Sequence, residues 1–245
     1  MIALDPLTTP QVVDVADIPD ADRRAMYALY ERYYDGSSWP LFAADLADKN
    51  RVLMLRDETG ALQGFSTMAI YQRCFDGVPV RVLFSGDTVV DERHWGQQAL
   101  AFTWLRLAGA MKTEQPEVPL YWLLISKGHR TYRYLPTFSR AFDPSPDGNA
   151  VGKLGALKDF LARDRFGGDY DATAGVVRFA QSRGHLRSAY AEVPEAHRRL
   201  SEVAYFLERN PGYARGDELV CLCELAAEQL QPIARRAFLA GMRAA

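Results

Sequence analysis

Apolar positions along the chain recur first at helical spacing, then in strand-like runs, and the changeovers mark out its elements. Gln11 to Ile18 predicts a first strand. Asp20, after Pro19, is placed to cap a helix whose Met26, Leu29, Tyr30 and Tyr33 share one face, and Asp35-Gly36-Ser37-Ser38 ends it. Trp39 to Asn50, with Phe42 and Leu46 four apart, predicts a second short helix. Arg51 to Arg56 reads as a strand and Asp57-Glu58-Thr59-Gly60 as a turn. Gly64 to Tyr71 is the partner strand, and Cys74-Phe75-Asp76-Gly77 carries an Asp-Gly hairpin signal.

The organising stretch follows. Val78 to Val90 is an apolar run rich in β-branched residues, and Gly86 inside it marks a bulge or a close backbone approach. Asp91-Glu92-Arg93-His94 interrupts the run. After Gly96 the spacing turns helical, with Leu100, Trp104, Leu107 and Met111 on one face. A strand that enters a helix through a short polar turn aims the free amides of the helix's first turn beyond the strand end, which suits an anion. Pro119 to Ile125 reads as a buried strand, and a right-handed crossover sets it parallel to Val82–Val90. Ser126-Lys127-Gly128-His129 leads into a helix from Arg130 to Arg140, limited by Pro136. An antiparallel meander followed by such a crossover is an α+β pattern.

Beyond Asp143 the pattern is more broken. Pro144-Ser145-Pro146-Asp147-Gly148-Asn149 is a turn-rich linker, and Leu154, Leu157, Phe160 and Leu161 mark an amphipathic helix. Ala174 to Ala180 reads as a strand. Arg183, His185 and Arg187 at alternate positions form either a phosphate-facing patch or a solvated loop. Pro194 to Asn210 reads as a helix, Glu218 to Leu222 runs into a strand, and Glu224 to Arg243 forms a closing helix interrupted at Pro232. The domain reading is a core over 1–143, with 144–245 a helix-rich extension that gives one or two strands to the same domain.

Composition narrows the function. Of 245 residues, 48% are hydrophobic and 24% charged, as in an ordinary globular chain. A net charge of −2 gives no basic footprint, so no nucleic-acid partner is expected. No apolar run approaches the roughly 20 residues of a membrane helix, so no membrane partner is expected, and the N-terminus has no signal-peptide pattern. Three cysteines suggest no disulfide framework and point to a reduced, cytoplasmic setting. Cys221 and Cys223 share one face of a strand, but no further Cys/His cluster accompanies them, so they read as small buried hydrophobes and no metal is expected.

Val89-Val90-Asp91-Glu92-Arg93-His94-Trp95-Gly96-Gln97-Gln98-Ala99-Leu100, set between strand and helix, resembles the pyrophosphate-binding motif of the GNAT superfamily of acyl-CoA N-acyltransferases. The family pattern is Gln or Arg, two residues, Gly, one residue, then Gly or Ala. Arg93 and Gly96 match it, Gln98 stands at the small position, and Ala99 follows one residue late. The resemblance spans about residues 10 to 142, with a final strand near 218 to 224. It implies a GNAT-like, mostly antiparallel central sheet flanked by helices, with an added C-terminal helical segment. It implies an acyl group moved from acyl-CoA, or from an acyl-carrier protein, to a small-molecule amine. Arg93, His94, Trp95, Gly96, Gln97, Gln98 and Ala99 would hold the pyrophosphate, and the pantetheine arm would lie between two splayed strands. A backbone donor at Val89 or Val90 would polarise the thioester. Tyr132 or Tyr134 would protonate the leaving thiolate, since a phenol is neutral at pH 7 and can donate. Tyr33, Tyr34 and Trp39 either line the acceptor side or pack in the core.

The residues themselves single out Asp87 as the base. It is a carboxylate in an apolar strand next to the suspected bulge, where burial raises a pKa; the competing reading pairs it with a neighbouring Lys or Arg. Glu92 and His94 come second, and His129, which a capping role would equally explain, comes third. The rival class is a non-catalytic GNAT-like module for ligand sensing or assembly, which Gln98 in place of a small residue favours. The C-terminal extension would form a homodimer interface, complete the sheet, or cover the acceptor pocket.

Overall fold

The computed structural model describes residues 9–148 and 152–244. Its frame is one twisted sheet. Strand β1 (Gln11–Asp14), helices α1 (Asp20–Glu31) and α2 (Trp39–Ala47), and strands β2 (Arg51–Arg56), β3 (Leu62–Phe75) and β4 (Val78–Val90) come first. Helix α3 (Ala99–Glu114) then crosses to β5 (Leu120–Ser126). The short helices α4 (His129–Tyr132) and α5 (Tyr134–Phe138) follow, then α6 (Lys153–Phe166), α7 (Ser201–Arg209), β6 (Glu218–Glu224) and α8 (Pro232–Ala244). The sheet order is β1-β2-β3-β4-β5-β6, continued by Val176–Val177 and Tyr170–Asp171, with Phe142–Asp143 also pairing β6. Among the described residues, only β4 and β5 pair in parallel, and the other pairings of this sheet are antiparallel.

Alternation along the strands feeds two faces. Leu120, Trp122 and Leu124 of β5, with Leu219, Cys221 and Cys223 of β6, belong to the core that holds Trp104 of α3 and Phe238 of α8. Val82 and Phe84 of β4 and Val220 and Leu222 of β6 face the opposite way, with Leu157 and Leu161 of α6. A third cluster joins Met26 and Tyr30 of α1 to Phe42 of α2 and Phe65 of β3. The β3–β4 hairpin turns at Asp76 and Gly77, both at positive φ (51° and 77°), as the Asp-Gly signal requires.

Several predicted boundaries change for identifiable reasons. Pro19 takes the cap position and Asp20 is the first helical residue, its carboxylate favourable in the first turn. The helix predicted from Arg130 to Arg140 divides at Arg133. Pro136 is the third residue of α5, where its missing N–H costs no intrahelical bond. Pro232 opens α8 instead of interrupting a longer helix, the first-turn preference of proline. The strand predicted over Ala174–Ala180 shrinks to Val176–Val177, and the helix predicted over Pro194–Asn210 breaks into a turn at Glu195–Arg198 and α7. Asn149 of the linker and the first eight residues, read for a signal peptide, lie outside the described residues.

Helices α3 and α8 meet at two glycines. A Cβ on Gly241 would sit 1.9 Å from the Arg106 carbonyl oxygen, and one on Gly109 would sit 2.0 Å from that of Phe238. Backbone cannot yield as a side-chain tip can. Gly241→Ala is therefore expected to destabilise the protein by about 2–3 kcal/mol, read as a lower urea midpoint with unchanged slope.

Candidate functional site

Strands β3 and β4 lose register at one point. Ser66 pairs with Thr88 and Met68 with Ser85, so Gly86 and Asp87 together oppose Thr67. This is the bulge that Gly86 predicts, and it re-aims Asp87. A Cβ on Gly86 would lie 2.6 Å from Lys49 Cε and 2.5 Å from Thr67 Oγ1, so a larger residue would push these side chains aside. The parallel pairing of β4 with β5 covers Arg81–Ser85 against Leu120–Leu124 and ends there. Beyond Ser85 the two strands part, leaving the β5-facing edge of Gly86–Val90 open.

Asp87 lies at this opening and lines a cavity of about 890 Å³. Tyr30 and Tyr34, Asp45 and Lys49, Lys127 at the end of β5, Glu218 at the start of β6, and Arg183 contribute to its walls. Tyr30 and Tyr34 stack with centroids 4.4 Å apart. Lys127 Nζ is 3.3 Å from Glu218 Oε1, donates to the Arg183 carbonyl at 3.4 Å, and lies 5.5 Å from the Tyr34 ring centroid. Burial alone would lower the Lys127 ammonium, but Glu218 together with Tyr30, Asp87 and Tyr34 outweighs this and holds it well above its ordinary value. Lys49 Nζ donates to Asp45 Oδ2 at 2.9 Å. Asp87 has neither a side-chain hydrogen bond nor an ion pair with any described residue. Burial pushes its carboxyl up to about 6, Asp45 adds to the rise, and Lys127 and Lys49 oppose it. Burial also pushes the Tyr34 phenol up to about 12.

A helix-linked parallel pair that splays at its C-terminal end, inside an otherwise antiparallel sheet, is the arrangement the sequence motif implies. The architecture is GNAT-like. No family model and no curated protein sequence matches the chain. Solved structures do resemble it. A conserved protein of unknown function from Enterococcus faecalis V583, described as a probable N-acyltransferase, is 15% identical, with a TM-score of 0.40, over 55% of this chain and 33% of its own. The GNAT family N-acetyltransferase YhbS of Escherichia coli, solved in complex with CoA, is 19% identical with a TM-score of 0.38, over 64% of this chain and 76% of its own. A GCN5-related N-acetyltransferase from Kribbella flavida is 14% identical with a TM-score of 0.39, over 55% and 33%. The chain thus spans a third of the first and last of these. The likeness is one of architecture.

The loop read as a phosphate loop lies between β4 and α3, and several of its side chains are engaged elsewhere. Arg93 binds Asp91 Oδ1 through Nε at 2.9 Å and Gln63 Oε1 at 3.1 Å. Arg32 reaches the buried Asp91 at 2.6 Å. Burial would raise the Asp91 carboxyl, but the bonds from Arg93 and Arg32 prevail and hold it well below the usual range. His94 is buried against Gln97, 3.3 Å from its amide nitrogen. Trp95 donates its indole N–H to the Val90 carbonyl at 2.9 Å, packs on Tyr33 and Tyr190, and lies under the Arg130 guanidinium. Gly96, at φ +91°, has open space where a side chain would be. Gln98 takes the cap position of α3, exposed, its side chain 3.5 Å from the Gly96 carbonyl. Phe102 makes the first intrahelical bond, to Gln98, so the amides of Ala99, Leu100 and Ala101 have no intrahelical acceptor. The loop therefore presents first-turn amides without an intrahelical acceptor and an open side at Gly96.

Of the two candidate thioester donors, Val90 faces the gap. The Asp91 amide bonds Gln63 of β3, and the alternation of the ladder turns the Val90 N–H the other way. Val89 has its carbonyl towards β3, 3.1 Å from where a Cβ on Gly64 would be.

Both tyrosines proposed as acid are displaced from the cavity lining. Tyr132 is fully buried among Phe142, Tyr205 and Phe206, and its hydroxyl donates to the Pro144 carbonyl at 2.9 Å. It is a core residue because α4 turns it under α7. Tyr134 is half-buried and packs on Phe138. Of the aromatic trio, Tyr34 lines the cavity, whereas Tyr33 accepts the Glu92 amide and Trp39 packs on Phe42 under Arg24. Glu92 is exposed and 3.3 Å from the Tyr190 hydroxyl. His129 is buried 3.2 Å from His197 Nδ1, and burial drops it to about 4. Sequence reasoning missed Lys127, Glu218 and Lys49. The available signal was a charge at the end of each of two apolar strands, where it reads as a cap.

Proposed function

We propose that the chain transfers an acyl group from an acyl thioester to a small-molecule amine, with Asp87 as the base. One observation carries this reading: an unpaired carboxylate, raised into the working range of a base, stands where the splay of β4 and β5 opens into a large cavity. Acyl-CoA would lie along the splay, its phosphates on the amides of Ala99–Ala101 and its thioester carbonyl near the Val90 N–H. The acceptor ammonium gives one proton to Asp87 and the free amine adds to the thioester carbon. Collapse breaks the carbon–sulfur bond, and the thiolate takes the second nitrogen proton. Lys127 and Glu218, as a neutralised pair, fix the cavity floor without drawing Asp87 into a salt bridge.

Calorimetric titration with acetyl-CoA and one long-chain acyl-CoA tests the donor site. Saturable binding of one of them is expected, weakened about tenfold or more by Gln98→Glu, which sets a charge against the phosphates yet suits a helix N-terminus. Gly96 is a poorer probe, since its positive φ strains any replacement. Equal binding by wild type and variant contradicts the phosphate site. Binding of neither thioester removes both as donors and leaves an acyl-carrier protein donor or the non-catalytic module.

A further inference from the structure

The cavity is lined by six carboxylates (Asp45, Asp48, Asp87, Asp164, Asp169 and Glu218) and five cations. Every one of the cations has a carboxylate partner in the same lining. Lys49 holds Asp45 at 2.9 Å and Asp48 at 3.7 Å, and Arg165 also binds Asp48. Arg73 holds Asp164 at 2.7 Å, Lys127 holds Glu218 at 3.3 Å, and Arg183 reaches Asp45 at 3.4 Å. Two carboxylates are left without an ion pair among the described residues, Asp87 on the bulge and Asp169 just beyond α6. Among the described residues, the Asp169 carboxylate accepts only the Ala180 amide, at 3.2 Å. Phe84, Phe166 and Phe179 line the same cavity, with Phe166 facing both of the others at centroid distances of 5.9 and 6.3 Å.

We infer that the acceptor is a dication, a diamine or polyamine that places one ammonium at Asp87 and a second at Asp169, with its hydrocarbon spacer along the phenylalanine wall. The inference rests on the amine-acylation reading and narrows its substrate class. A monoamine would satisfy one carboxylate and leave the other facing the cavity without a counter-charge. An acidic or zwitterionic acceptor would set a carboxylate against cations already neutralised, and would gain little. The apolar wall suits methylene groups and gives no hydrogen bonds to a sugar. Asp169 is then a specificity residue for the distal charge and takes no part in the proton transfer.

The test is calorimetric titration of the full chain with putrescine, cadaverine and spermidine against n-butylamine and n-pentylamine at low ionic strength. At least one di- or polyamine is expected to bind about tenfold more tightly than the monoamines, the gain of one charge-assisted contact. Asp169→Asn, which keeps the oxygen that accepts the Ala180 amide, should erase that ratio and leave monoamine affinity unchanged. Equal affinities for mono- and diamines overturn the inference, as does an Asp169→Asn variant that retains the preference or weakens both classes alike. Selective diamine binding without acylation by any binding acyl-CoA upholds the dication site and overturns the acyltransfer reading. Acylation of monoamines and diamines at equal efficiency does the reverse.

Discussion

Asp87→Asn is expected to cut amine acylation by about a hundredfold or more, leave acyl-CoA affinity unchanged, and raise stability above pH 7. The three effects share one cause. In the folded chain the Asp87 carboxyl titrates near 6, against an ordinary 3.8, so the native state holds its proton more tightly than the unfolded state. Stability is therefore greatest below the ordinary value, falls as pH rises from about 4 to 6, and stays lower above, by up to about 3 kcal/mol. Asn carries no charge and avoids that loss, so the variant should melt higher than wild type at pH 8 and close to it at pH 4. In the proposed reaction, the same ionisation that costs stability supplies the base. A variant that retains full turnover assigns Asp87 a structural role. One that loses turnover and also stability at pH 8 points to a broken bulge.

Lys127→Met should be the most destabilising change in the site, by about 3–5 kcal/mol at pH 7, because it leaves Glu218 buried beside Asp87 with no counter-charge. Adding Glu218→Leu should recover most of that loss, since the pair is costly to break and cheap to replace as a unit. Urea unfolding of the two single variants and the double variant gives the coupling. A double variant no more stable than Lys127→Met would show that the lysine acts through its contacts to Arg183 and Tyr34 instead.

The half of the fold that holds the bulge was legible because its signals are local. The run Val78–Val90, its single Gly86, the polar turn and the change to helical spacing all act over a few residues, and β4, the bulge and α3 form where they predict. Prolines misled where their local meaning is twofold: Pro136 and Pro232 read as breaks but occupy first turns, where a missing N–H is harmless. Asp87 could be named from sequence because a charge in an apolar strand is conspicuous. Its freedom from partners could not, since that depends on Lys127 choosing Glu218 across the β5–β6 pairing and Lys49 choosing Asp45 within its own helix end. Tyr132 and Tyr134 differ only in which side of α4 and α5 the core covers, a fact set by α7 far along the chain. The course of the Asp91–Gln98 turn between β4 and α3 was legible as backbone but not as side chains. The Asp91–Arg32 bridge that braces it comes from α1's end, and the Tyr190 packing on Trp95 comes from the C-terminal half.

The decisive measurement is the initial rate of thiol release from the acyl-CoA that binds, with and without the preferred amine, across pH 4 to 9 in wild type and Asp87→Asn. The structure predicts an amine-dependent rate in wild type that climbs about tenfold per pH unit below roughly 6, then levels off, with Asp87→Asn losing the inflection near 6 along with most of the rate. Thiol release that ignores the amine, or an inflection near 6 that survives in Asp87→Asn, would contradict amine acylation by this carboxylate.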